Sequence, residues 1–514
     1  MTSSGASQPS DPGSNRRNAA SLATLILFLA AIVSAAAWYC FRNGWILYYG
    51  DAESHLNISR ALIDSRTPGY DQLGTVWLPV LHVICLPFVG NDRLWSTGLA
   101  GTIPVAACFV VAGMCFYLAA REAFGSLAAA WTVAACFALN PNVLYLSVIP
   151  MTEVVFLAAL SLTLLAILRF RKSQRSRWVV IGALASWILC LTRYDGWFLV
   201  PFAALWVAAF ARRRRLLLFA AFACAASLAP LYWIAHNWWE TGRPLNFYNG
   251  PYSAIAIQGP RSYPGYHDWL AALHYYGTAG QLCAGTALVL LAVTGVVVAD
   301  RSRAYPPLLF LALTPLFYIW SMHSSGGTPI YVPSLWPHSY YNSRYGIALV
   351  PLCAFSAGAI VPRIPFRWRH WWPIISLVAV SPWLLHPSRQ NWICWKESEV
   401  NSVDRRAWTG AAAEFLGAKY NGGQGILTSS GDVTGIYRRA GIHLTETLNI
   451  GNGPSWFLAT TRPDLFHPSL WSIVQEGDAL SKALARTSAP YRQVRSITTS
   501  QYSPALHILK RTGP

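Results

Sequence analysis

Residues 19–40 read AASLATLILFLAAIVSAAAWYC, which is 22 residues without a charge. A helix needs roughly 20 apolar residues to cross a bilayer core, and this block is longer than the apolar core of a secretory leader. We therefore expect an uncleaved first membrane span. Blocks of the same kind recur to about residue 385. The 514-residue chain is 54% hydrophobic and 12% charged, against about 25% charged residues in a soluble globular protein. Lipid is the dominant solvent.

Eleven spans are expected, with cores at 19–40, 95–119, 126–140, 154–168, 178–192, 197–211, 216–235, 282–299, 306–322, 346–361 and 371–386. The net charge of +18 does not indicate nucleic acid. Its carriers sit in short runs between apolar blocks, such as Arg169 to Arg177 and Arg212 to Arg215, as expected of cytoplasmic anchors. With the N-terminus inside, the short inner segments hold 17 Lys and Arg, the short outer segments 8 and the C-terminal region 14. This places a long first loop (41–94) and everything after 387 outside the cytoplasm, in the plasma (inner) membrane. Residues 1–18, rich in Ser, Gly, Pro and Asn, read as a disordered cytoplasmic tail. Most of the ten cysteines lie in apolar blocks, and no C-x-x-C occurs, so they read as small hydrophobes.

Two features of the outer side stand out. Leu78 to Phe88 is apolar but too short to span, and reads as an interfacial or re-entrant helix. The spans 178–192 and 197–211 have 15 residues each, about 22 Å of helix, so the turn Thr192-Arg193-Tyr194-Asp195-Gly196 between them is expected to be recessed. Polar backbone at that depth must line a protein cavity.

Acids are scarce before the tail, so their positions carry information. Asp51, Glu53 and His55 follow the first span. Glu153 opens the fourth, and Asp195 lies in the recessed turn. An acid pair in a loop is ordinarily solvated. Glu153 reads either as a functional group at an apolar span or as an acid favoured by a helix N-terminus. Arg193 and Asp195 read either as site residues or as a pair satisfying each other. All of them fall on one expected face.

This arrangement resembles the GT-C class of membrane glycosyltransferases, and within it the protein O-mannosyltransferases and lipid A aminoarabinose transferases. Asp51 and Glu53 match the acidic motif of the first outer loop, and Glu153 matches a later acid at the start of a span. Arg193-Tyr194-Asp195-Gly196-Trp197 resembles a basic turn, and Asn342-Ser343-Arg344-Tyr345-Gly346 an element before a late span. The likeness covers residues 20–385. It departs from the mannosyltransferases in that Ala52 separates the two acids. Trp238-Trp239-Glu240 lacks the acid of the oligosaccharyltransferase signature.

The resemblance implies an all-α polytopic catalytic domain over 19–387. It implies an inverting transfer of a hexose-type sugar from a polyprenyl-phosphate carrier to an acceptor hydroxyl of a protein, lipid or glycan. Asp51 is expected to take the acceptor proton, with Glu53 or Glu153 orienting the acceptor. Arg193 and Arg344 are expected to stabilise the leaving phosphate, with His55, Asp195 and Tyr345 as further substrate-binding residues. Asp51, Glu53 and His55 also present oxygen and nitrogen donors for a divalent metal, although their spacing fits no tight motif and branches of the class differ in metal use. A transporter or lipid flippase is the alternative, but such proteins place polar sites near the midplane in paired repeats, which this chain lacks.

Residues 388–514 read as a small extracytoplasmic α/β domain. A helix is expected over Val403 to Tyr420, and strands at 426–428, 442–448, 456–461, 492–499 and 505–510.

Overall fold

The computed structural model describes residues 12–513 except 430, 432, 488 and 502. Among the described residues, six helices are long and apolar enough to cross a membrane, or seven if a bent pair counts as one span. They are Ala19–Arg42, Leu99–Phe124, Thr152–Ser173, Arg215–Thr241, Arg301–Ser324 and Ser343–Arg363, with Trp269–Ala284 and Thr286–Val298 as the bent pair. The other expected spans appear as shorter helices at Leu127–Ala138, Ser176–Cys190, Asp195–Phe210 and Trp372–Leu385. The first helix begins at Pro12, so residues 12–18 of the expected disordered tail are helical. Residues 1–11 lie outside the described residues.

Helix Thr152–Ser173 is the central column, with 89% of its apolar window buried. It packs on Leu99–Phe124 and Ser176–Cys190. Gly101 permits close approach to the segment just before the column, because a Cβ there would lie 2.4 Å from Pro150 Cβ. Thr102 Oγ1 donates to the Val148 carbonyl at 2.8 Å. Together they fix the turn just before Glu153.

The Leu78 to Phe88 run forms helix Val80–Val89. The turn 192–196 lies recessed among the helices, with Thr192 and Asp195 buried. The Val80 amide donates to the Leu191 carbonyl at 3.0 Å, and Tyr194 OH donates to the Val76 carbonyl at 2.6 Å, so the first loop roofs it. The segment 269–284, expected as loop and the first part of a span, is a single helix. The glycine and proline signals end at Gly265, and Asp268 then caps the helix by accepting from the Leu270 and Ala271 amides. The chain bends by 105° into Thr286–Val298.

The tail carries a five-stranded sheet in the order β2-β1-β3-β5-β4, with β1 Ile426–Thr428, β2 Thr447–Leu448, β3 Trp471–Gln475, β4 Tyr491–Ile497 and β5 Leu506–Arg511. β1 pairs parallel with β2 and β3, and the β3–β5 and β5–β4 pairs are antiparallel. Helix Val403–Lys419 forms as expected. The expected strand at 456–461 is instead helix Pro454–Thr461. Gly453 (φ 54°) breaks the chain there and Pro454 occupies the first helical turn, a standard start signal. Strand β3 was missed, although Ile473 and Val474 in a five-residue run suit a buried strand. Of the expected 442–448 strand, Thr447–Leu448 is strand β2 and Leu444–Glu446 is a short 3-10 turn.

Candidate active site

Five separated segments deliver the site. Helix Gly50–Ala61 brings Asp51, and the first turn of Thr152–Ser173 brings Glu153. The recessed turn brings Arg193 and Asp195, the 3-10 segment Ser343–Ala348 brings Arg344 and Tyr345, and helix Ile393–Asn401 brings Glu397. Gly346 seats the fourth segment against helix Trp269–Ala284, where a Cβ would lie 2.3 Å from the Ala279 carbonyl oxygen.

Arg344 is the hub. Its Nη2 donates to Asp51 Oδ2 at 2.5 Å, its Nε to Glu153 Oε1 at 3.2 Å and its Nη1 to Glu397 Oε1 at 2.8 Å. Glu397 Oε2 also accepts from the Arg344 amide at 3.0 Å and from the Ser343 hydroxyl. Arg193 reaches the same Glu153 oxygen from the other side at 3.2 Å, and donates to Thr152 Oγ1 at 2.9 Å. Its Nε meets Asp195 Oδ1 at 3.2 Å. Tyr318 OH accepts from Arg193 Nη2 and donates to Asp195 Oδ2, both at 2.8 Å. Arg193 therefore pairs with Asp195 and also joins the wider cluster through Glu153.

Tyr345 keeps the two cations apart. Its ring centroid lies 5.0 Å from the Arg193 guanidinium and 5.3 Å from that of Arg344, and the ring stacks on Tyr318 at 5.0 Å. The Tyr49 ring lies 4.9 Å from the Arg344 guanidinium. Such cation–π contacts hold a guanidinium in place without neutralising it.

Two properties bear on chemistry. The Asp51 side chain is 41% exposed, whereas those of Glu153, Asp195 and Glu397 are 2% exposed or less. Glu153 Oε2 is buried with no hydrogen-bond partner. The cluster holds four carboxylates against two guanidinium groups, an excess of acceptors over cations. Arg193 and Arg344 are thus already engaged by acids, which differs from the sequence expectation of two arginines held ready for a phosphate.

The other expected residues fall elsewhere. Glu53 is outside the cluster, because two residues of helix turn it about 200° from Asp51. It pairs with Arg438 in the C-terminal region. His55 lies one turn after Asp51, buried. Its Nδ1 lies 2.9 Å from His82 Nε2 and its ring 4.5 Å from that of Trp77. Burial first, and then the Arg344 and Arg193 charges, push the His55 imidazole down to about 3. Asp51, Glu53 and His55 therefore do not converge on one point, and among the described residues no three His, Cys, Asp or Glu side chains form a metal-holding group. The donor set does not fit the divalent ion considered from the sequence.

Among solved structures, ArnT from Cupriavidus metallidurans bound to undecaprenyl phosphate superposes with a TM-score of 0.56 at 15% identity, covering 93% of this chain and 97% of that one. The apo form of the same protein gives 0.55 at 14% identity, covering 95% and 98%. The chain has the GT-C fold. No protein-family profile matches it, and no curated protein matches it in sequence. The GT-C likeness covers nearly the whole of both chains, so it includes the C-terminal domain, beyond the stretch that the sequence motifs cover.

Sequence reasoning missed Glu397, Tyr318 and Tyr49. Glu397 sits in Trp395-Lys396-Glu397-Ser398-Glu399, a charged string that reads as soluble surface, and nothing local marks it. Tyr318 interrupts an apolar span with a hydroxyl that needs a partner in lipid, which was the available signal.

Proposed function

We propose that the protein is an inverting glycosyltransferase that moves a hexose-type sugar from a polyprenyl-phosphate carrier to an acceptor hydroxyl on the outer face of the membrane. The observation that carries this reading is Asp51, half-exposed and held through one oxygen by Arg344 above a buried acid cluster. The GT-C fold supports it, as does the fold neighbour's undecaprenyl phosphate. The charge bias of the short loops supports the orientation.

In this reading the acceptor oxygen attacks the anomeric carbon from the face opposite the phosphate. The new C–O bond forms as the carbon–phosphate oxygen bond breaks, and the phosphate departs with the electron pair. The acceptor proton passes to Asp51 Oδ1, the oxygen that Arg344 does not hold. Arg344 keeps the carboxylate pointed at the acceptor and is itself locked by Glu153 and Glu397. Positive charge develops on the sugar ring in such displacements. An excess of fixed carboxylates beneath the ring stabilises that charge without reorganisation. Arg193, Asp195, Glu153 and Tyr345 are positioning residues. Glu53 has a structural role.

The test is turnover of a radiolabelled polyprenyl-phosphate sugar by purified Asp51→Asn protein in detergent. The expected loss is at least about 100-fold with an unchanged melting temperature. Wild-type turnover would remove Asp51 as the base.

A further inference from the structure

The site lies at one end of the helix bundle. At the other end is a cavity of about 430 Å³, lined by Ser126, Asp300, Arg303, Arg363 and Arg369 among others. Helices locate it. Leu99–Phe124 starts near the turn that precedes Glu153 and ends at the cavity, about 39 Å away at 1.5 Å per residue. Arg301–Ser324 starts at the cavity and runs up to the site tyrosine Tyr318.

Charge in this cavity is arranged oppositely to the site. None of Arg303, Arg363 and Arg369 forms a salt bridge among the described residues. Arg363 donates only Nε, to the Val298 carbonyl at 2.6 Å. Arg369 is folded back by bonds to the Ile364 and Pro362 carbonyls, both at 3.0 Å. Among the described residues the Arg303 side chain makes no hydrogen bond. A guanidinium has five N–H donors, so most donors here have no protein acceptor. The one acid, Asp300, uses Oδ1 to cap helix Arg301–Ser324, accepting from the Ser302 amide and hydroxyl and from the Arg303 amide.

The surroundings identify the source of the missing acceptor. Phe366 (86% exposed), Trp368 and Trp371 project from the segment that carries Arg369. Exposed aromatic rings at the end of a membrane bundle sit at headgroup level. A cavity with three arginines against one acid at that level suits a lipid phosphate. We propose that this cavity binds the phosphate of an anionic membrane phospholipid. The inference rests on neither the orientation nor the sugar-transfer reading, and a failure here leaves both standing.

The test is native mass spectrometry of the full-length protein in detergent with phosphatidylglycerol, phosphatidylcholine or inorganic phosphate added. The variant Arg303→Gln/Arg363→Gln/Arg369→Gln is expected to bind roughly tenfold less phosphatidylglycerol. Arg303→Gln alone, at an exposed position, serves if the triple variant does not fold, with a loss of about threefold. A charge-matched control, Arg212→Gln/Arg213→Gln/Arg214→Gln, is expected to bind like wild type. Equal losses in the cavity and control variants would reduce the effect to diffuse surface charge and overturn the proposal. So would unchanged binding in both. Displacement of the lipid by millimolar inorganic phosphate would assign the cavity to the free ion instead.

Discussion

Asp51 and Glu53 lie two residues apart on one helix and have opposite fates. Asp51 turns toward the recessed turn, exposes 41% of its side chain and spends one oxygen on Arg344. Glu53 turns toward the C-terminal domain and is 2% exposed. Both its oxygens are taken by Arg438, at 2.6 and 2.9 Å, and Asn57 adds a third bond at 3.2 Å. Burial works to raise Glu53, but the Arg438 charge and hydrogen bonds, the Arg405 charge and the Asn57 hydrogen bond together outweigh it, holding the carboxyl below its ordinary value. A buried carboxylate that already accepts three hydrogen bonds, out of about four sites, has little capacity left for a substrate proton. The comparison teaches that proximity in an acidic motif says little about shared chemistry. The helical period separates the two roles.

Four measurements break or sharpen this contrast. The largest effect is expected in activity. Asp51→Asn should lose at least about 100-fold in turnover, whereas Glu53→Gln, assayed at a temperature where it stays folded, should lose little. Comparable losses from both would merge the two roles. The next effect is on stability. Arg438→Met leaves a buried carboxylate unpaired and should cost about 3 kcal/mol, read as a lower melting temperature in detergent. Asp51→Asn should leave that temperature within a degree or two of wild type.

A third measurement uses His55, which shares the Asp51 face of the helix. Its folded value of about 3 lies below its ordinary 6.5. The unfolded chain therefore binds more protons between those limits. The stability this group contributes is complete above pH 6.5 and is lost as pH falls toward 3, at up to about 1.4 kcal/mol per pH unit. Thermal unfolding from pH 7 to pH 5 should be less pH-dependent in His55→Gln, and an identical slope would refute the assignment. The smallest effect is expected from Tyr318→Phe. It removes one hydroxyl between Arg193 and Asp195 and should cost roughly 1 kcal/mol, with a modest loss of turnover.

The legible part of the molecule was the part written in local chemistry. Apolar blocks gave the spans because lipid tolerates little else, and the recessed turn followed from two helices too short to cross. Asp51, Glu153, Arg193 and Arg344 were found because ionised groups beside apolar spans are costly and few. The partners of those groups were not legible in the same way. Arg438 meets Glu53 across 385 residues of chain, and Arg438-Arg439 looks like any exposed basic pair. Glu397 was hidden for the converse reason, since a charged string hides one buried acid among exposed neighbours. The strand at 456–461 failed because the Gly453-Pro454 start signal was outweighed by an apolar run.

Glu397 also ties the Arg344 cluster to the C-terminal region. Its helix lies beyond residue 387, where composition turns soluble, yet its carboxylate completes the coordination of Arg344 inside the bundle. A polypeptide cut at 387 would keep its spans and lose the counter-charge that locks its central cation. During synthesis the same holds in time: every membrane helix is made before residue 397 exists. The nascent chain therefore cannot complete the ion pairs of Arg344 until its last quarter has been translated and folded back onto the helices already in place.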